Sequence, residues 1–175
     1  MRLSWRVFSS LPRRGAESFA KQGKSFEELT QEILRLELGM ALELVGGAKD
    51  SGVDLRGSWL VGDADLVVVT QCKHYESGNK LTDATVREFE GAISRIGQAG
   101  VVGILSSNRP MTADAYKNFF CSRNAMMYFL MDVTQRQSRR ILLNESMRLG
   151  LPQLQVLVAR TANGELRPCL KYLWI

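Results

Sequence analysis

Asp54, Gln71 and Lys73 are the side chains in this sequence whose types suit one reaction: hydrolysis of a phosphodiester. That reaction needs a cation to offset the developing charge, a deprotonated water, and a group that places the water in line with the leaving oxygen. Asp54 offers a hard carboxylate suited to magnesium or manganese, Gln71 an amide oxygen, and the carbonyl of Cys72 a third oxygen. Lys73 would orient the water or stabilise the charge on phosphorus, and burial beside a cation would fit it to take a proton. The competing reading of Asp54 and Lys73 is an ordinary cross-strand ion pair.

These residues need two paired strands to meet. Val53 to Trp59 and Leu66 to Cys72 read as strands joined through Gly62-Asp63-Ala64-Asp65, so a hairpin brings Asp54 to the Gln71 and Lys73 end. Alternation puts Gln71 and Lys73 on one face and Cys72 on the other, as a core residue. Leu66 to Thr70 is almost continuously apolar, which marks a central strand covered on both faces.

Around that hairpin the elements alternate. Ser25 and Glu28 form a capping box ahead of Phe26, Leu29, Ile33, Leu36 and Met40, predicting a first helix that stops at Gly39. Ala41 to Val45 starts a strand, and 46–52 is a glycine-bearing turn. Thr82 to Gln98 predicts an amphipathic helix leading into a buried strand, Val101 to Leu105, which stops at Ser106-Ser107-Asn108-Arg109-Pro110. Strand, helix and parallel strand form a crossover. Ala113 to Cys121 predicts a helix, Met126 to Asp132 a strand, Gln135 to Leu149 a basic helix, and 154–159 with 166–173 a hairpin around Asn163-Gly164. The fold class is α/β, a mixed sheet flanked by helices.

With 175 residues and 45% apolar content, one domain is expected, over 23–175. Three widely spaced cysteines provide neither a disulfide framework nor a zinc CxxC pair, so the compartment is reducing. No apolar stretch reaches the roughly 20 residues of a membrane helix, and no membrane partner is expected. The net +5 is local: residues 1–25 hold six basic side chains against Glu17, and the remainder is balanced. Arg-rich, Ser-bearing and nearly free of acid, residues 1–22 read as a mitochondrial presequence, which would send the protein to the matrix; the alternative is a disordered basic arm. Residues 26–108 carry minus six and 109–175 plus six, so a polyanion should be held mainly by the second half. Two solvated surfaces explain that polarity equally well.

Gly23-Lys-Ser-Phe26-Glu27-Glu28-Leu29, then Gly46-Gly-Ala-Lys-Asp-Ser-Gly52-Val53-Asp54-Leu55, then Val69-Thr70-Gln71-Cys72-Lys73 resemble the Mrr-type branch of the PD-(D/E)XK nuclease superfamily over roughly 23–132, the restriction-endonuclease-like fold. The basic leader and the Gly57-Ser58-Trp59 continuation are similar to a small fungal mitochondrial family described as required for respiratory growth. The resemblance implies a magnesium- or manganese-dependent endodeoxyribonuclease with Asp54 as metal ligand, Lys73 as catalytic lysine, and Glu27 as the first-helix carboxylate. Gln71 stands where most of the superfamily has Glu or Asp, costing the site one negative charge. Glu28 and Glu32 share the helix with Glu27, which is preferred because Glu28 closes the capping box; without the motif Glu27 is an ordinary first-turn acid.

Lys49 and Ser51 in the glycine turn, His74 at the strand end, and Ser107, Asn108 and Arg109 after the next strand are the candidate DNA contacts. Arg136, Arg139, Arg140 and Arg148 either track a backbone or form a solvated helix face. DNA is the expected partner, with a homodimer addressing both strands. A catalytically silent DNA-binding module of the same fold and a junction resolvase are the competing functions.

Overall fold

Phe26, Leu29, Thr30, Ile33 and Leu34 fall on one face of a helical repeat, and all are buried. They form the inner face of α1 (Phe19–Leu38) in a computed structural model that describes residues 19–45, 52–98 and 100–172. The helix begins ahead of Ser25, so Ser25 sits inside it and the expected capping box does not exist. Nothing between Phe19 and Lys24 stops a helix except Gly23, which costs only about 1 kcal/mol there.

Six strands follow the helix into one sheet. β1 (Ala41–Leu44), β2 (Leu55–Val61) and β3 (Ala64–Lys73) are antiparallel neighbours. Close approach of β1 requires Gly57, because a Cβ there would lie 1.9 Å from the Ala41 carbonyl oxygen. β3 then runs parallel to β4 (Val101–Ser107) by way of α2 (Asp83–Ile96), whose end is set by Gly97 in the left-handed region, φ 62°. The crossover read from the sequence is present, and β4 takes in Ser106 and Ser107 rather than stopping at them.

α3 (Ala113–Cys121) leads to β5 (Met126–Asp132), parallel to β4, and both match their expected limits. The sheet order is β1-β2-β3-β4-β5-β6, so β3 is central.

The basic helix expected over 135–149 is absent. Asp132 Oδ1 accepts the N–H of Gln135 at 2.9 Å and Arg136 takes φ 51°, which turns the chain back as β6 (Gln137–Leu143), antiparallel to β5. Only α4 (Glu145–Gly150) is helical. A register shift between Leu130 and Met131 interrupts the two-residue alternation of the hairpin, which hid the strand. β7 (Leu154–Arg160) and β8 (Leu166–Tyr172) form the terminal hairpin as a separate two-stranded sheet.

Two apolar layers result. Val68, Ile104, Met127, Phe129 and Ile141 face α1 and the terminal hairpin, whereas Val69, Leu105 and Tyr128 face α2 and α3 through Val86, Phe89 and Phe119. α1 is pinned to the first layer along its length: Thr30 Oγ1 lies 3.0 Å from Ser106 Oγ, Gln31 donates to the Leu42 carbonyl at 2.7 Å, and Glu37 accepts the Ser138 hydroxyl at 2.6 Å. Asn144 ties α3, β5 and α4 together. Its Oδ1 accepts the N–H groups of Met126 and Met147, and its Nδ2 donates to the carbonyls of Phe119, Ser122 and Asn124. No helix among the described residues is long and apolar enough to cross a membrane.

Candidate active site

Asp54 precedes β2 by one residue, and its backbone N–H bonds the Thr70 carbonyl at 2.8 Å. That register sets its side chain against the end of β3, where Oδ2 accepts the N–H of Cys72 at 2.6 Å. The carboxylate therefore lies on the backbone of the Gln71-Cys72-Lys73 strand end. A charge-assisted bond to a backbone donor fixes its position more firmly than a neutral one would.

Gln71 is 3% exposed and its Oε1 has no hydrogen-bond partner. A buried amide oxygen left unmet costs about 1–3 kcal/mol. The amide lies against Gly52, where an added Cβ would come within 3.0 Å of Nε2; φ +82° favours glycine here and a side chain would also crowd the amide. Among the described residues no three His, Cys, Asp or Glu side chains gather as a cation cage. The donor set is instead mixed, one carboxylate beside an unsatisfied amide oxygen, and these hard oxygens fit a magnesium- or manganese-type ion.

Cys72 points to the α1 side, half-buried against that layer. Burial pushes its thiol well above the ordinary range, and the carboxylates of Asp54 and Glu27 add to the effect, against a Thr30 hydrogen bond and the Lys73 charge. A neutral thiol is a weaker ligand for a hard cation than the oxygens beside it. The charges of Glu27, Asp54 and Lys73 thus all act on this one thiol. Of the three candidate helix acids, Glu27 is half-buried and its charge acts on the Cys72 thiol; Glu28 is exposed, and Glu32 is paired with Arg136. The capping argument for Glu27 fails with the capping box, and position on the helix replaces it.

His74 packs on Phe26, ring centroids 5.4 Å apart. Burial lowers its pKa, and the Arg109 charge lowers it further. Ser107, Asn108 and Arg109 follow β4, whose Ser107 pairs in register with Lys73. Asn108 grips the backbone of Tyr75, accepting its N–H and donating to its carbonyl, both at 2.8 Å. Ser107 Oγ donates to the Arg109 carbonyl at 2.9 Å and accepts its N–H at 3.0 Å, and the Tyr128 hydroxyl donates to the same carbonyl at 2.7 Å. Tyr128 and Thr30 were invisible as site residues in the sequence, since their partners lie 19 and 76 positions away. Lys49 and Ser51 lie outside the described residues.

Comparison with known proteins gives the family. A family model described as restriction endonuclease, the Mrr catalytic domain, matches residues 20–132. No curated protein matches the sequence. Among solved structures, the MspJI restriction endonuclease in complex with a 27-mer oligonucleotide is similar over 70% of this chain and 33% of that one, at 16% identity and a TM-score of 0.42. The DNA modification-dependent restriction endonuclease AspBHI is similar over 67% and 37%, at 20% identity and 0.46. The matched part thus spans about a third of each of those chains. With the mixed sheet and the Asp54, Gln71, Lys73 end of β3 in place, the family match over most of the chain is decisive: this protein belongs to the Mrr-type restriction endonuclease family, DNA-cleaving nucleases of the PD-(D/E)XK fold.

Proposed function

We propose that this protein is a divalent-metal-dependent endodeoxyribonuclease that hydrolyses DNA phosphodiester bonds at the carboxyl end of β3, using magnesium or manganese. The observation that carries the reading is the Asp54 carboxylate held on the Cys72 N–H, at the strand end that carries the orphaned Gln71 oxygen and Lys73. Asp54, the Gln71 amide and Glu27 would hold the ion, with the Cys72 carbonyl as a further oxygen. A bound cation offsets charge on the phosphate and makes water more acidic. Lys73 orients the attacking water and stabilises the charge that builds on the phosphate oxygens. Arg109 and His74 would position the DNA strand, with Ser107 and Asn108 holding the backbone of Arg109 and Tyr75 behind them, and Lys49 and Ser51 are assigned phosphate contacts from the sequence alone.

The basic leader assigns the protein to the mitochondrial matrix, where DNA maintenance, degradation or recombination would be its context; the respiratory-growth branch of the family is the corresponding grouping. Fusing residues 1–22 to a fluorescent reporter tests this, and a reporter that stays outside mitochondria removes it. A homodimer would let both strands be cut, and sedimentation with and without DNA reads that directly.

Supercoiled and linear DNA incubated with the protein in magnesium, in EDTA, and with Lys73→Ala tests the activity. Nicking or linearisation in magnesium only is expected. Cleavage that survives both chelator and substitution discards the mechanism. Binding without cleavage supports the second reading, a silent DNA-binding module, which the neutral Gln71 favours; preference for four-way junctions over duplex would mark a resolvase.

A further inference from the structure

The correction of residues 137–143 from helix to strand changes what the arginines there can do. On β6, strand pairing aligns Arg140 with Leu130 of β5, Leu130 with Ser107 of β4, and Ser107 with Lys73 of β3. Residues opposite one another on neighbouring strands share a face. Leu130 packs with the α2 and α3 layer, together with Tyr128 and Leu142, so Arg140 and Lys73 lie on that same face. At about 4.8 Å per strand, three steps separate them by about 14 Å. Arg109 stands between, just beyond Ser107.

Each of the two arginines is positioned without being neutralised. Arg109 is fixed through its backbone by Ser107 and Tyr128, yet its Nε is buried with no hydrogen-bond partner. Arg140 is exposed and in no ion pair among those described, and its charge acts on the Tyr128 hydroxyl. Arg136, by contrast, is used up by Glu32. Cations held unpaired in a line beside a phosphodiester site suit a polyanion backbone: about 14 Å equals roughly four steps of rise along a B-form axis at 3.4 Å per step.

We infer that Lys73, Arg109 and Arg140 form a cationic row carrying one DNA strand from the carboxyl ends of β3 and β4 across β5 to β6, with Arg140 as its far phosphate contact. Arg140 lies outside the segment, 20–132, that matches the family, so this contact belongs to the C-terminal part of this chain. The inference rests on the nuclease reading above.

The test is fluorescence anisotropy of a 20-base-pair duplex, with calcium replacing magnesium to hold back cleavage, titrated across salt concentrations. Wild type is compared with Arg140→Ala, Arg140→Lys, Arg109→Ala and Arg35→Ala. Arg35 is an exposed arginine on the far end of α1, near the β1 edge. Losing one phosphate contact lowers the slope of log K against log salt by about 0.9. That drop is expected for Arg140→Ala and Arg109→Ala, with the slope retained in Arg140→Lys and in Arg35→Ala. An unchanged slope in Arg140→Ala, or an equal drop in Arg35→Ala, overturns the row. If wild type cuts duplex but Arg140→Ala binds like wild type, the row alone falls; if wild type neither binds nor cuts, the nuclease reading falls with it.

Discussion

The Asp54 carboxylate accepts the backbone N–H of Cys72 at 2.6 Å, which locks a loop residue to the midpoint of the Gln71-Cys72-Lys73 strand end. Asp54→Asn keeps the size of the side chain and removes its charge. Turnover on plasmid DNA is expected to fall at least about 100-fold, the scale of losing one charge-stabilising group, with duplex affinity kept within about twofold because phosphate contacts lie elsewhere. Asp54→Ala should also lose about 1–2 kcal/mol of unfolding free energy in urea as the Cys72 N–H loses its acceptor. Equal loss of affinity and turnover in Asp54→Asn would remove Asp54 from the chemistry.

Gln71→Glu restores the charge that a typical member of the superfamily has at this position. The magnesium concentration giving half-maximal cleavage should drop about tenfold, since a second carboxylate strengthens binding of a hard cation. Without metal the same variant should be less stable than wild type, because a buried carboxylate has no partner to replace the ion. A metal requirement that does not move argues that the orphaned Oε1 faces something other than a cation.

His74 is the only histidine, so one proton resonance reports on it without ambiguity. Its midpoint should lie below the ordinary 6.5, and Arg109→Ala should raise it by removing the nearby charge. A depressed pKa means that the folded protein binds fewer protons than the unfolded chain. Stability present above pH 6.5 therefore declines as the pH falls through that value, and His74→Gln flattens the decline. An unmoved resonance in Arg109→Ala would separate the two residues.

Asn144→Ala should cost about 2–4 kcal/mol, since five backbone groups lose a buried partner at once. Per folded molecule, cleavage should be unchanged. Chemical denaturation read by tryptophan fluorescence measures the first, and activity corrected for folded fraction the second; a stability within 0.5 kcal/mol of wild type, well below the expected loss, would show the hub to be redundant.

What could be read without coordinates was whatever repeats locally. β3, α2, α3 and β5 each carry a two- or 3.6-residue apolar pattern long enough to be read on its own, and pairing Asp54 with the end of β3 follows from the hairpin. The first helix was read with the wrong start because Ser25 and Glu28 are a local option that the preceding helical turns override. Residues 135–149 were misread because an irregular register beside Arg139 and Arg140 erases alternation and leaves only charge. The site's supports were out of reach for another reason. Thr30 with Ser106, Asn108 with Tyr75, and Tyr128 with Arg109 join positions 19 to 76 residues apart, and no spacing rule encodes such pairs.

Fastening α1 to the sheet by Thr30, Gln31 and Glu37 has a mechanical outcome. The helix bearing Glu27 is tied at three points to the sheet that carries Lys73, which resists opening of the gap between them. Misfit between that gap and a double helix then falls largely on the nucleic acid, through unstacking or bending at its softer base steps.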